Sequence, residues 1–151
     1  MKTGVARAIA SGFGAGFLPL APGSFASLLA ALAAAPFLAL GHHLLLWAAL
    51  VAALSGVWAV AASGEAGRDP GWVVIDEIAG QWLALAPLAR PAFWPIACGF
   101  ALFRLLDITK PGPIGWCDRR HDALGVMGDD IVAGVGAALI LWLGLMGGGW
   151  R

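Results

Sequence analysis

The sequence predicts an all-α, polytopic integral membrane bundle of four or five hydrophobic segments, one of them short or re-entrant. Three observations carry that prediction. Of the 151 residues, 60% are hydrophobic and 12% charged, against about a quarter charged in an ordinary soluble domain. Eight tryptophans without a single tyrosine suit a chain whose indole rings settle at the lipid-water interface or pack between helices. Twenty-two glycines suit helices that approach closely and backbone that bends around polar cavities in a bilayer.

The chain is short enough for one domain. Its formal charge of zero leaves no basic footprint for nucleic acid. Cys98 and Cys117 belong to no CxxC or Cys/His pattern and are read as free thiols. The first residues are basic but lack an apolar run ending in a small-residue cleavage site, so no signal peptide is expected.

Taken in order, residues 1–23 form a glycine-rich cytoplasmic or re-entrant stretch. Within it SGFGAGFLPLAPG, Ser11 to Gly23, has four glycines and two prolines, which break any helix before it crosses a bilayer. Ser24 is the expected N-cap of a first span to Leu40. At 1.5 Å per residue that span reaches ~26 Å, and Pro36 is expected to kink it. Gly41-His42-His43 reads as a polar turn, and Leu44 to Ser63 is a charge-free second span.

The loop from Gly64 to Gly71, with Glu65, Arg68 and Asp69, returns the chain to the first face. Val73 to Pro87 is a third apolar segment, short and with Asp76 and Glu77 near its start, so it is a buried short span or a re-entrant helix. Ala92 to Leu106 is a fourth, with Arg104 near its end and Asp107 just beyond; Ile131 to Met146 is a fifth. Counting crossings places Lys2, Arg7, Arg68, Arg104, Lys110, Arg119 and Arg120 on one face, against Arg90 and Arg151 on the other. By the positive-inside rule the first face is cytoplasmic.

Charge concentrates between residues 103 and 130, which hold five of the nine acidic and four of the nine basic residues. Groups that costly near a membrane core point to use, and this stretch is the candidate active site. Asp76-Glu77-Ile78-Ala79-Gly80 and Asp129-Asp130-Ile131-Val132-Ala133-Gly134 echo one another. Each reads as a carboxylate pair at the start of an apolar helix, with a glycine one turn in that admits a second helix. One aspartate would serve as a cap; a second beside it repels the first. Carboxylates from two helices on one face offer the oxygen ligands a hard divalent cation such as Mg²⁺ takes, and at least two of these four are expected to hold it.

Arg104, Asp107 and Lys110 recur every three residues before Pro111, which places two cations and a carboxylate on one helical face. The plainer reading is an intrahelical ion pair; beside paired acids, the same mixture suits a phosphate ester held by cations. Gly12, Gly14 and Gly16 with Ala21-Pro22-Gly23-Ser24 have the makings of a phosphate loop of backbone N–H groups, or of a close-packed turn. His42 and His43 fall on the opposite face, and His121 in its Arg-Arg-His-Asp setting reads as solvated. No Ser/His/Asp set suggests covalent serine chemistry.

Four stretches, GFGAGFLPLAPGS, WVVIDEIAGQW, FRLLDITKPGPIGWCDRR and GVMGDDIVAG, in this order and at these separations, resemble bacterial phosphatidylglycerophosphatase A. The resemblance runs from about Gly12 to Gly136, with Ser24 and Ala26 standing where the family has threonine and glycine. It implies a multi-pass inner-membrane enzyme that uses Mg²⁺ to remove the terminal phosphate of phosphatidylglycerophosphate, facing the cytoplasm. The family's acidic motifs then fall on Asp76, Glu77, Asp107, Asp118, Asp129 and Asp130, and its basic ones on Arg104 and Lys110. On this reading Asp76, Glu77, Asp129 and Asp130 hold one or two Mg²⁺ ions. Arg104, Lys110 and Ser24 contact the phosphate, Asp76 and Asp107 are the catalytic candidates, and Asp118 is a further acid. Water attack oriented by Asp107 and an aspartyl-phosphate on Asp76 or Asp107 both stay open. Outside the family, a divalent-cation channel or transporter and a non-catalytic assembly subunit are the alternatives.

Overall fold

A computed structural model of the chain describes residues 2–64 and 70–148, and every regular element among them is helical. In order these are α1 (Lys2–Ala10), α2 (Pro22–Leu40), α3 (His42–Ser63), α4 (Ile75–Leu85), α5 (Phe93–Thr109), α6 (Pro113–Asp118) and α7 (Ala123–Gly148), with a 3₁₀ turn at Ala15–Phe17. The five expected hydrophobic segments are α2 to α5 and α7. Three helices, Pro22–Leu40, His42–Ser63 and Ala123–Gly147, are long and apolar enough to cross a membrane. The other two are shorter, α5 at 17 residues and α4 at 11. Glu65, Arg68, Asp69 and Arg151 lie outside the described residues.

Side-chain size is sorted as a lipid environment requires. In α2 the buried positions are Ala26, Ser27, Ala30, Ala31, Ala34 and Leu38, while Leu28, Leu29, Leu32 and Leu40 face outward. In α3 Ala49, Ala52, Gly56 and Ala59 are buried, whereas Trp47, Leu50, Val51, Leu54 and Trp58 are exposed. Lipid tails solvate leucine as well as a protein core does, so small residues go to the helix contacts and bulk goes outward.

Several boundaries differ from the sequence reading. α2 opens at Pro22 rather than after Ser24, with Ala21 at its cap in the left-handed region (φ 44°); proline suits a first helical position, where no N–H is needed. Ser24 is therefore not the cap, and is free to turn its hydroxyl inward. The turn between α2 and α3 is Gly41 alone (φ 147°), so His42 and His43 open α3 instead of forming a loop. Pro36 lies within α2, which continues to Leu40. α7 begins eight residues before the expected Ile131, because Asp122 caps it: the Gly125 N–H donates to Asp122 Oδ1 at 2.7 Å. Both cysteines are free thiols, as read.

The short helix α4 is the axis of the bundle and packs on α2, α3, α5 and α7. At 11 residues it extends only ~16 Å, about half a hydrocarbon core. A helix this short keeps a polar start because its neighbours enclose it. α1 and the glycine-rich loop brace that start: the Val74 N–H donates to Ala10 O at 2.9 Å, and the Phe17 and Trp72 rings stack at 5.8 Å. Arg7 lies 5.1 Å over the Trp72 ring. At the other end Leu38, Leu45, Leu85, Leu88 and Leu141 form one apolar cluster.

Candidate active site

Two glycines bring the two acidic motifs together. A Cβ on Gly134 would stand 2.4 Å from the Gly80 carbonyl oxygen, and a Cβ on Gly80 would stand 2.5 Å from that of Asp130. Only glycine at both positions lets α4 and α7 cross this closely. Asp76 precedes Gly80 by four residues and Asp130 precedes Gly134 by four, so both acids sit one turn from the crossing. Carboxylate oxygens of Asp76, Glu77 and Asp130 lie within 4.8 Å of one another. Asp76 is 7% exposed and Asp130 3%.

The acid pair on α7 is not at a helix start. Asp129 and Asp130 lie nearly two turns inside α7, so neither caps it and neither complements its N-terminal dipole. Asp129 turns away from the trio: its Oδ2 accepts from Lys110 Nζ at 2.8 Å. Lys110 also donates to Asp118, and so ties the ends of α5 and α6 to α7. It is the C-cap of α5 in the left-handed region (φ 44°). Burial works against its charge, but hydrogen bonds and attraction from Asp118 and Asp129 hold its pKa above the ordinary lysine value. Arg104 and Lys110 thus do not share one binding face, because the helix ends at Thr109.

Arg104 reaches across to α2. Its Nη2 donates to Ser24 Oγ at 3.0 Å, its Nη1 to Ser27 Oγ at 3.4 Å, and the guanidinium also pairs with Asp107. Ser27 in turn donates to the Gly23 carbonyl at 2.8 Å. A Cβ on Gly23 would lie 2.0 Å from Glu77 Oε1, so the α2 start and the Glu77 carboxylate are in direct contact. Asp107 also lies within electrostatic reach of Glu77 and Asp130.

The glycine-rich loop is a brace. Its backbone N–H groups from Gly12 to Leu18 all donate to carbonyls of residues 8–15, so they are not free for a phosphate. Gly12, Phe13 and Gly14 take positive φ, and a Cβ on Gly16 would stand 1.9 Å from the Trp72 carbonyl oxygen. From Gly12 to Leu18 the close-packed turn is the reading that holds, while Pro22-Gly23-Ser24 opens α2 beside Glu77 and Arg104. A groove of about 610 Å³ between α1, α2, α3 and α4 has an apolar lining that includes Ile75, Ile78 and Trp82. These lie on the face of α4 opposite Asp76 and Glu77, so the groove is away from the chemistry.

Ser27 and Gln81 escaped the sequence reading. Both are fully buried, and the one available signal was helical spacing from a polar residue already singled out, Ser24 for Ser27 and Glu77 for Gln81.

The acidic trio fits a divalent cation by its own chemistry. Glu77 Oε2 and Asp130 Oδ1 are buried without a hydrogen-bond partner among the described residues. An ionised carboxylate oxygen only accepts, so a buried cluster of such oxygens calls for a cation. Hard oxygen ligands at this density suit Mg²⁺.

The family profile described as Phosphatidylglycerophosphatase A matches residues 8–145. The chain is 42% identical over 142 residues to a phosphatidylglycerophosphatase A of Escherichia coli, covering 89% of this chain and 80% of that one. With a phosphatidylglycerophosphatase A of Haemophilus influenzae it shares 33% identity over 138 residues, 89% of this chain and 85% of the relative. A Bacteroides thetaiotaomicron relative, 39% identical over 143 residues and covering 88% and 89% of the two chains, carries a name that gives phosphatidylinositol-3-phosphatase as a provisional activity. No solved structure matches the chain.

Proposed function

This chain belongs to the phosphatidylglycerophosphatase A family, and from that premise we propose that it hydrolyses the terminal phosphate monoester of phosphatidylglycerophosphate to phosphatidylglycerol and inorganic phosphate. The reaction depends on Mg²⁺ and takes place at the cytoplasmic face of a bacterial inner membrane. The observation that carries this reading is the trio of buried Asp76 and Asp130 with half-buried Glu77, set beside Arg104 inside a membrane bundle. The names of these relatives, one of them provisional, both give a phosphatase of a phospholipid head group, and that chemistry is what the site serves.

Asp76, Glu77 and Asp130 are the residues that would hold the ion. When bound, it supplies Lewis-acid polarisation of a phosphoryl oxygen and a lower pKa for water. Arg104, anchored by Ser24, Ser27 and Asp107, neutralises the phosphate without having to be organised during the reaction. Lys110, held between Asp118 and Asp129, places a second positive charge at the rim. Asp107 takes the proton from the attacking water. The water oxygen forms the new bond to phosphorus and the bond to the glycerol oxygen breaks; that oxygen takes a proton from solvent water at the membrane face, and Asp107 returns its own proton to solvent. The lipid tails stay in the bilayer beside the outward-facing leucines.

A channel would need a polar path through the bundle. Among the described residues the buried polar side chains are Ser11, Ser27, Asp76, Gln81, Asp129 and Asp130, and beyond them lies the apolar cluster of Leu38, Leu45, Leu85, Leu88 and Leu141. The enzyme reading is tested by phosphate release from phosphatidylglycerophosphate in mixed micelles, with Mg²⁺ and then with excess EDTA. Release that needs Mg²⁺ is expected, faster than from a phosphatidylinositol 3-phosphate control. No release from either lipid by folded protein would sink the reading, and release indifferent to EDTA would remove the metal.

A further inference from the structure

Gln81 is fully buried, and neither its Oε1 nor its Nε2 has a hydrogen-bond partner among the described residues. A bare carboxamide inside a membrane bundle is costly, more so than at a surface where water can reach it. It follows Glu77 by four residues, so it lies on the same face of α4, one turn deeper. Two contacts place that face: Gly23 of α2 lies against Glu77, and Leu85, one turn beyond Gln81, packs on Gly99 of α5, where a Cβ would stand 2.5 Å from it. Between them Gln81 stands in the wall where α2, α4 and α5 meet, the same wall that Arg104 spans to reach Ser24 and Ser27.

Of the five unpartnered buried atoms among the described residues, four sort into two chemical halves, with Gln81 Oε1 as a further acceptor. Glu77 Oε2 and Asp130 Oδ1 are acceptors and suit a cation. Arg104 Nε and Gln81 Nε2 are donors, and a cation leaves both unsatisfied; they call for an oxygen acceptor. A phosphoryl oxygen meets that need, and one protonated oxygen on a monoester would satisfy Gln81 Oε1 as well. We infer that Gln81 is a further substrate-binding residue, which donates with Arg104 to a phosphoryl oxygen at the floor of the site.

This inference deepens the proposed phosphatase function and rests on it for the identity of the lipid. Its test uses inorganic phosphate as the probe, so it does not depend on turnover. Thermal unfolding of the purified full-length protein is followed with increasing phosphate in the presence of Mg²⁺, for wild type, Gln81→Leu and Gln81→Glu. Phosphate should stabilise the wild type, and each variant should weaken its binding about tenfold or more, the scale of a hydrogen bond to a charged group. Without phosphate, Gln81→Leu should unfold at the wild-type temperature or above it, since an unpartnered polar group is gone; a purely structural glutamine would show the reverse.

KM for the lipid, measured on the same variants, separates the sources. A rise matching the loss of phosphate affinity assigns Gln81 to the head-group phosphate, and an unchanged KM assigns it to the released product. Wild-type phosphate affinity in Gln81→Glu, or no phosphate response in the wild type, overturns the inference. If Gln81→Leu fails to fold, Gln81→Glu decides alone, because it keeps the shape and removes the donors. A wild type that binds phosphate through Gln81 but hydrolyses no lipid would defeat the proposed function and leave this inference standing.

Discussion

Two acidic motifs that look alike in the chain behave differently in the fold. Asp76-Glu77 opens a short buried helix, and both carboxylates reach the trio. Asp129-Asp130 lies well inside α7, and only Asp130 joins them, while Asp129 is held by Lys110. Successive residues on a helix point about 100° apart, so a pair stays together only when both directions are enclosed by the same site. On α4 they are, because α2 supplies one wall and α7 the other. On α7 the second direction meets the end of α5. A repeated local pattern therefore carries a shared role only as far as its surroundings repeat.

The sharpest break of this comparison is to neutralise the two α7 acids separately. Asp130→Asn should lower kcat/KM on the order of a thousandfold, the scale of losing a group that acts on transition-state charge. It should also abolish stabilisation by Mg²⁺ in thermal unfolding. Asp129→Asn removes a supporting contact and should cost on the order of ten- to a hundredfold, with the Mg²⁺ response retained. Equal losses in both variants would mean that the motifs are equivalent after all, and that all four carboxylates share the ion.

A smaller effect is expected at the crossing that joins the motifs. Gly134→Ala puts a methyl group where the Gly80 carbonyl oxygen lies 2.4 Å away. Overpacking of this kind costs about 1–3 kcal/mol, and here it also moves Asp130 from Asp76. Unfolding temperature and activity should fall together. Loss of activity at unchanged stability would show that the carboxylates, and not the packing, feel the substitution.

The smallest effect concerns where α7 begins. Asp122→Ala removes the cap and should lower the unfolding temperature slightly while leaving KM unchanged. The hydrogen bond from Arg120 and the Gly125 N–H hold the Asp122 carboxyl below its ordinary pKa. Its contribution is therefore present above the unfolded-state value and is lost as pH falls through the lower folded-state value. The gap between wild type and variant should close in acid. A gap that persists there would mean that the helix does not start on this carboxylate.

Membrane class, helix content and the polar end of the molecule were legible because they depend on composition and on runs of apolar residues. So was the use of Gly80 and Gly134 as points of close approach, since a glycine in an apolar helix has few other reasons to be there. The start of α7 was legible only in part: Asp122 stood at the right distance from Gly125, but its loop of charges read as solvated. The N–H groups from Gly12 to Leu18 looked open to a phosphate in the chain and are consumed internally in the fold. The likeness between the acid pairs misled because it is local, whereas their partners come from other helices.

By itself the sequence determined that this protein is a helical membrane body with its charge gathered at one end, because the cost of burying charge in hydrocarbon acts on every residue alike. Its ordered motifs determined the family. Which carboxylates meet, which cation answers each, and which buried polar groups are left without partners was decided only by tertiary structure. Those depend on side-chain directions from α2, α4, α5 and α7 converging within a few ångströms, and no spacing along one helix specifies where another helix lies.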